Sequence, residues 1–192
     1  MSKEKILSAI RKARPEATAL PDIPAFPQPN EKTLQAFKKR SEALGSKVIM
    51  KSDVQDINQA LKKLFPEAAL IASPLKGMET SLSLETVSSP HELAGLDVAV
   101  LRAQLGVAEN GALWLSENDC VFRVLPFITQ HLVLILDHKM LVDNMHEAYQ
   151  KIRIDETGFG LFVAGPSKTA DIEQSLVIGA QGARSLTVFI IE

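Results

Sequence analysis

An α/β domain in three layers, with a mostly parallel and partly mixed sheet, is the fold class this sequence predicts. Three observations lead to it. Short apolar runs recur at residues 47–50, 68–72, 97–103, 131–136, 161–164 and 186–191, each the length of a buried strand. Helix-period segments fall between several of them, and the order strand, helix, strand over 47–72 marks a βαβ unit. The chain has 192 residues, enough for one domain with a substantial core and too few for two.

Residues 1–14 read as a short helix with Ile6, Leu7 and Ile10 on one stripe and charges on the other face. Pro15, Pro21, Pro24, Pro27 and Pro29 then forbid helix and make 15–29 an extended linker. The domain proper is expected over 30–192. Its first helix spans 31–44, with Leu34, Phe37 and Leu44 inward and Gly45 as the stop. A helix over 53–65 is expected to start at Ser52 or Asp53. Residues 80–90 read as a loop or edge strand. The runs 113–115 and 121–125 suggest an antiparallel hairpin turning through Glu117-Asn118-Asp119, which would make the sheet mixed. Helices over 141–152 and 169–179 complete the set, with 186–191 as the closing strand.

Composition narrows the function. Net charge is −2 with acids and bases intermixed, and no basic stripe carries interleaved aromatics, so nucleic-acid binding is not expected. Lys38-Lys39-Arg40 reads as a solvated helix face. Cys120 is the sole cysteine, which excludes a disulfide framework and an iron–sulfur cluster held by this chain alone. It reads as a small core residue rather than a reactive thiol. No secretory leader or membrane span is recognisable, so the cytoplasm is the expected compartment. His91, His131, His138 and His146 lack metal-ligand spacing, and no metal site is expected.

The most informative segment is LFVAGPSKTADIE, residues 161–173. A strand halts at Gly165-Pro166, and Ser167, Lys168 and Thr169 open a helix whose first turn holds Asp171 and Glu173. Backbone N–H groups, hydroxyls and one cation then meet at a point suited to an anion. The same residues also make an ordinary capped strand-to-helix joint.

In LGVAENGALWLS, residues 105–116, Glu109-Asn110-Gly111 interrupts an apolar run. Asn-Gly is a strong turn signal, so one reading is a hairpin with a solvated Glu109. The other places Glu109 at the mouth of a cleft as a base or nucleophile. Ligands collect outside the carboxyl ends of strands in open α/β sheets, and Asp137-His138, Gly165 to Thr169 and Gln104 to Glu109 are all candidates for that edge. Arg102 and Arg123 lie in strand runs and suit surface ion pairs better than a carboxylate clamp. Gly179 to Arg184 falls between helix and strand, the wrong setting for a dinucleotide fingerprint, and reads as a C-cap and turn.

AGPSKTADIEQSLVIGAQGAR, with GVAENGALWL upstream, resembles the LUD-domain family, specifically the LutC-type lactate utilisation proteins, from about Leu34 onward. The resemblance implies a fold related to the CoA-transferase and ribose-5-phosphate isomerase group. It also implies a role in oxidising L-lactate to pyruvate with two partner proteins that carry iron–sulfur clusters, none being held here. Many members show Glu-Thr-Gly where this chain has Glu109-Asn110-Gly111. The Asn form is closer to the Glu-Asn-Gly of family I CoA-transferases, where that glutamate becomes acylated, although Ala108 stands where those enzymes often have Ser. By this resemblance Glu109 is a candidate nucleophile.

Three readings follow. The favoured one is a component of an L-lactate utilisation system that binds a small organic acid or phosphate-containing ligand at Gly165, Ser167, Lys168 and Thr169, with Asn110 and Gly111 beside them. The second is a stand-alone acyl-CoA transferase using Glu109. The third is a non-catalytic anion-sensing module. Homo-oligomerisation through the N-terminal helix is also expected to be open to this chain.

Overall fold

A computed structural model describes residues 2–15, 18–19, 21–22, 33–153, 158–168 and 177–191. Five strands form an all-parallel sheet: β1 (Lys47–Met50), β2 (Ile71–Ala72), β3 (Val98–Arg102), β6 (His131–Asp137) and β9 (Ser185–Ile191), in the order β1-β9-β6-β3-β2. β6 and β9 at its centre are buried along almost their whole length. That burial on both faces is why they read as continuous apolar runs. The sequence places β1 and β2 in one βαβ unit, and here they lie on opposite edges, with the intervening helix α3 (Ile57–Leu64) crossing one face.

A second sheet holds the mixed pairing. β4 (Leu105–Val107) and β5 (Ala112–Ser116) form an antiparallel hairpin; β7 (Leu141–Val142) adds parallel to β4, and β8 (Gly160–Val163) antiparallel to β5. The main core lies between the sheets, where Leu132, Leu134, Leu186 and Val188 meet Leu113, Leu115 and Phe37 of α2 (Thr33–Ala43). α3 covers the other face of the parallel sheet through Ala60 and Leu61 against Val133 and Phe189. On the outer face of the mixed sheet, Trp114 and Val142 pack on Ala148 of α6 (Met145–Lys151). The α/β class and mostly parallel pairing are as the sequence predicts, and an N-terminal helix, α1 (Lys3–Lys12), is present.

Several expectations change. The hairpin turns through Ala108 to Gly111, not Glu117 to Asp119, because Ser116 and Asp119 form a capping box that starts a helical turn, α4 (Glu117–Cys120). The apolar run 121–125 is not a strand: a tight turn at Val121 leads into α5 (Leu125–Ile128). Helix α3 starts at Ile57, where Asp56 accepts from the Gln59 N–H, and a 3-10 turn occupies Lys51–Asp53. Within 141–152, β7 comes first and Asn144 then caps α6. Residues 80–90 contain 3-10 turns and no strand. The linker residues Pro24, Pro27 and Pro29 and most of the expected 169–179 helix lie outside the described residues. At its end, Ile178 is not helical and bridges antiparallel to Lys168.

Candidate functional site

β8 and β5 pair with Leu113 opposite Val163, so the segments beyond them, Gly111 and Gly165, emerge at the same end of the mixed sheet. Both take positive φ, +68° and +87°. Both also back onto the C-terminal end of α2. A Cβ on Gly111 would lie 2.8 Å from the Ser41 nitrogen, and one on Gly165 would lie 2.9 Å from the Leu44 carbonyl oxygen. Only glycine allows this conformation and this approach together. The Ser41 hydroxyl donates to the Gly111 carbonyl at 3.4 Å. The hairpin carrying the glutamate and the turn carrying Ser167 and Lys168 are thus seated on one helix end.

Ser167 and Lys168 follow Gly165-Pro166. The Ser167 N–H donates to the Ala183 carbonyl and its own carbonyl accepts from Gly179, which fixes the turn against the approach to β9. Lys168 Nζ donates to the Leu44 carbonyl at 2.6 Å, capping α2 with a charge that suits a helix C-terminus. Gly165, Ser167 and Lys168 line a cleft of about 270 Å³ with Phe127, Gln181 and Gly182, floored by Leu132 and Leu186. Thr169 lies outside the described residues. Such a cleft, apolar in floor and bordered by Ser167, Lys168 and Gln181, has the mixed lining typical of small-ligand sites.

Glu109 is placed elsewhere on the same edge and does not line that cleft. It is exposed at the hairpin turn, where its Oε2 accepts from the Met145 N–H at 3.0 Å and its N–H donates to the Asp143 carbonyl. It thereby holds the first turn of α6. Asn110 closes the hairpin, its Oδ1 accepting from the Ala112 N–H at 3.0 Å. Thr33 at the start of α2 donates to Asp143 at 2.6 Å, which ties that end of the helix to the segment whose carbonyl the Glu109 N–H bonds.

Other candidates resolve simply. Arg123 makes a two-pronged bond to Glu117, at 2.6 and 3.1 Å, and lies over the Phe159 ring. Arg102 is exposed at the end of β3. Cys120 is fully buried, and desolvation with Asp119 and Glu117 nearby pushes its thiol up to about 12. Among the described residues no three His, Cys, Asp or Glu side chains gather to hold a metal, and no helix is long and apolar enough to cross a membrane. Sequence reasoning did not find Phe127, Gln181 and Gly182 as cleft residues, nor Ser41 and Leu44 as the support. The Gly-punctuated run 179–184 is the one local signal near them, and its pattern is equally that of a turn.

The LUD domain family model matches residues 86–191, which include both loops and the whole cleft wall. An uncharacterized protein of Neisseria meningitidis serogroup B is 26% identical over 161 residues, covering 82% of this chain and 66% of that protein. Proteins named lactate utilization protein C from Shouchella clausii and Oceanobacillus iheyensis are 29% and 27% identical, each match covering 50% of this chain and 44% of theirs. This chain therefore spans about half the length of those two relatives. The crystal structure of a DUF162 family protein from Deinococcus radiodurans shares the fold with a TM-score of 0.62, at 17% identity, covering 83% of this chain and 96% of that one. On the match to more than half of its length, the chain belongs to the LUD-domain family.

Proposed function

We propose that this chain is a component of an L-lactate utilisation system, in which it binds a small organic anion in the cleft beside Ser167 and Lys168. The observation that carries the reading is the coincidence of two things. The cleft is bordered by a lysine, a serine and a glutamine within a segment matched by the LUD family model, and relatives in that family are named for lactate utilization. A 2-hydroxy acid needs one cation for its carboxylate and one neutral polar group for its hydroxyl. Lys168 and Ser167 or Gln181 are of those kinds.

Oxidation of lactate to pyruvate releases two electrons. With Cys120 as the sole thiol, and buried, cysteine-ligated clusters would have to sit on other chains, so we propose iron–sulfur proteins as partners. Affinity purification of the tagged chain from its native cells, followed by a lactate-oxidation assay, tests this. Cysteine-rich iron–sulfur proteins and lactate-dependent electron transfer are expected in the eluate. A chain recovered alone, with no such activity restored by cell extract, would sink the partnership.

Covalent acyl transfer at Glu109 is the competing reading. One oxygen of its carboxylate, Oε2, accepts from the Met145 N–H, so attack on an acyl group would fall to Oε1 or exchange that bond. Glu109→Gln separates the two, since acyl transfer through the carboxylate would vanish and anion binding in the cleft would remain.

A further inference from the structure

The cleft beside Lys168 has more room and more apolar lining than lactate can use. Its volume of about 270 Å³ lies close to the roughly 300 Å³ from which pockets enclose drug-sized ligands. Lactate is far smaller, and its one methyl group is the whole of its apolar surface. Leu132 and Leu186 make the floor of the cleft, and Phe127 adds an aromatic side chain to the lining. Ser167, Lys168 and Gln181 are of the kinds that bind a carboxylate and a hydroxyl. An aromatic ring suits neither group.

Phe127 is the one exposed residue of α5. The backbone there is held, since the Phe127 and Ile128 N–H groups both donate to the Val124 carbonyl at 2.9 Å. Val124, Leu125 and Ile128 pack on the main core from the same turn. Phe127 instead is 45% exposed and lines the cleft. A ligand group that covers such a ring removes apolar area from water on both sides, worth about fourfold in affinity for each methylene buried.

We infer that the acid taken by this cleft is a 2-hydroxy acid with a branched aliphatic or phenyl substituent, and that Phe127 is the specificity-determining residue that covers this substituent. On the organic-anion reading above, on which this assignment rests, Lys168 and Ser167 or Gln181 hold the carboxylate and hydroxyl, and Phe127 and the leucine floor hold the remainder. Lactate is then the smallest member of the class, bound through its polar groups with little help from the ring.

Calorimetric titration of the full chain with L-lactate, L-2-hydroxyisocaproate and L-phenyllactate tests it, wild type beside Phe127→Ala. At least one of the longer acids is expected to bind the wild type about tenfold or more tighter than L-lactate. Phe127→Ala should remove most of that gain and leave the affinity for L-lactate nearly unchanged, because the polar residues are untouched. Phe127→Leu, which keeps an apolar side chain on α5, should recover part of the gain and guards against a loosened helix in the alanine variant. Affinities for both longer acids no better than for L-lactate would overturn the proposal and leave the organic-anion reading standing. So would a gain that survives Phe127→Ala. Failure of all three acids to bind the wild type would overturn both.

Discussion

Lys168 caps α2 by donating its Nζ to the Leu44 carbonyl at 2.6 Å, across 124 residues of sequence. The lysine expected to receive an anion thus already serves a helix end, and Gly165 packs on the same Leu44 carbonyl. An anion in the cleft would take another of the ammonium's three N–H donors. Lys168→Met is expected to lower stability by about 1 kcal/mol, the usual net worth of such a bond. Denaturant unfolding of the free protein measures the loss. The same variant should show no stabilisation by the anion, where the wild type does.

Gly111 gives a test of the support beneath the hairpin. Alanine there adds a left-handed backbone penalty and a Cβ 2.8 Å from the Ser41 nitrogen. Gly77 also has positive φ, +84°, but nothing lies within 4 Å of its missing Cβ. Gly77→Ala therefore isolates the backbone term, about 1 kcal/mol. Gly111→Ala is expected to cost about 1–3 kcal/mol more, as overpacking does. Equal losses in thermal unfolding would show that α2 yields freely beneath the loop.

Val121 sits at φ 59°, ψ −55°, and the Phe122 N–H donates to the Cys120 carbonyl at 2.6 Å, which together make a γ-turn of the rare positive-φ kind. A β-branched residue is strained there, and its side chain is 49% exposed, so little packing offsets the strain. Val121→Gly is expected to stabilise the protein by about 0.5–1 kcal/mol, less what glycine loses in chain entropy. A lower melting temperature would mean that the valine side chain packs to more effect than its exposure indicates.

His131 supplies a pH dependence. Its ring stacks on Phe65 with centroids 4.8 Å apart, and Nδ1 lies 2.8 Å from the Ser185 hydroxyl. Desolvation first, and then Arg184, hold its pKa below the ordinary 6.5, with Asp97 opposing. A depressed folded value means the unfolded chain takes the proton more readily. Its contribution is thus fully present above about pH 6.5. It declines as pH falls through that value and levels off below the folded pKa. Urea unfolding at pH 8 and pH 5.5 should show a steeper acid loss for the wild type than for His131→Gln. Parallel losses would remove His131 from the account.

Much of this architecture was legible in the sequence, for physical reasons. β3, β6 and β9 are buried on both faces, so their apolar runs are unbroken and hard to misread. The run at 121–125, VFRVL, reads as a strand too, because periodicity cannot separate a short strand from a largely exposed turn of apolar residues. The capping pair Ser116 and Asp119 was the evidence against a strand there. Over 141–152 a two-residue strand was absorbed into the helix it precedes, although Asn144 marks the true start. At the site, Gly165, Ser167 and Lys168 follow from a local motif. That Ser41 and Leu44 fill the space behind two glycines is a contact between segments distant in sequence, which no local pattern encodes.

The most direct test of the central claim is calorimetric titration of the full chain with L-lactate and with pyruvate, wild type beside Ser167→Ala and Lys168→Gln. Saturable one-to-one binding of at least one acid is expected, weakened about tenfold or more by Lys168→Gln through loss of the charge-assisted bond. It should be weakened less by Ser167→Ala. No saturable heat with either acid, or affinities unmoved by both substitutions, would contradict an organic-anion site in this cleft.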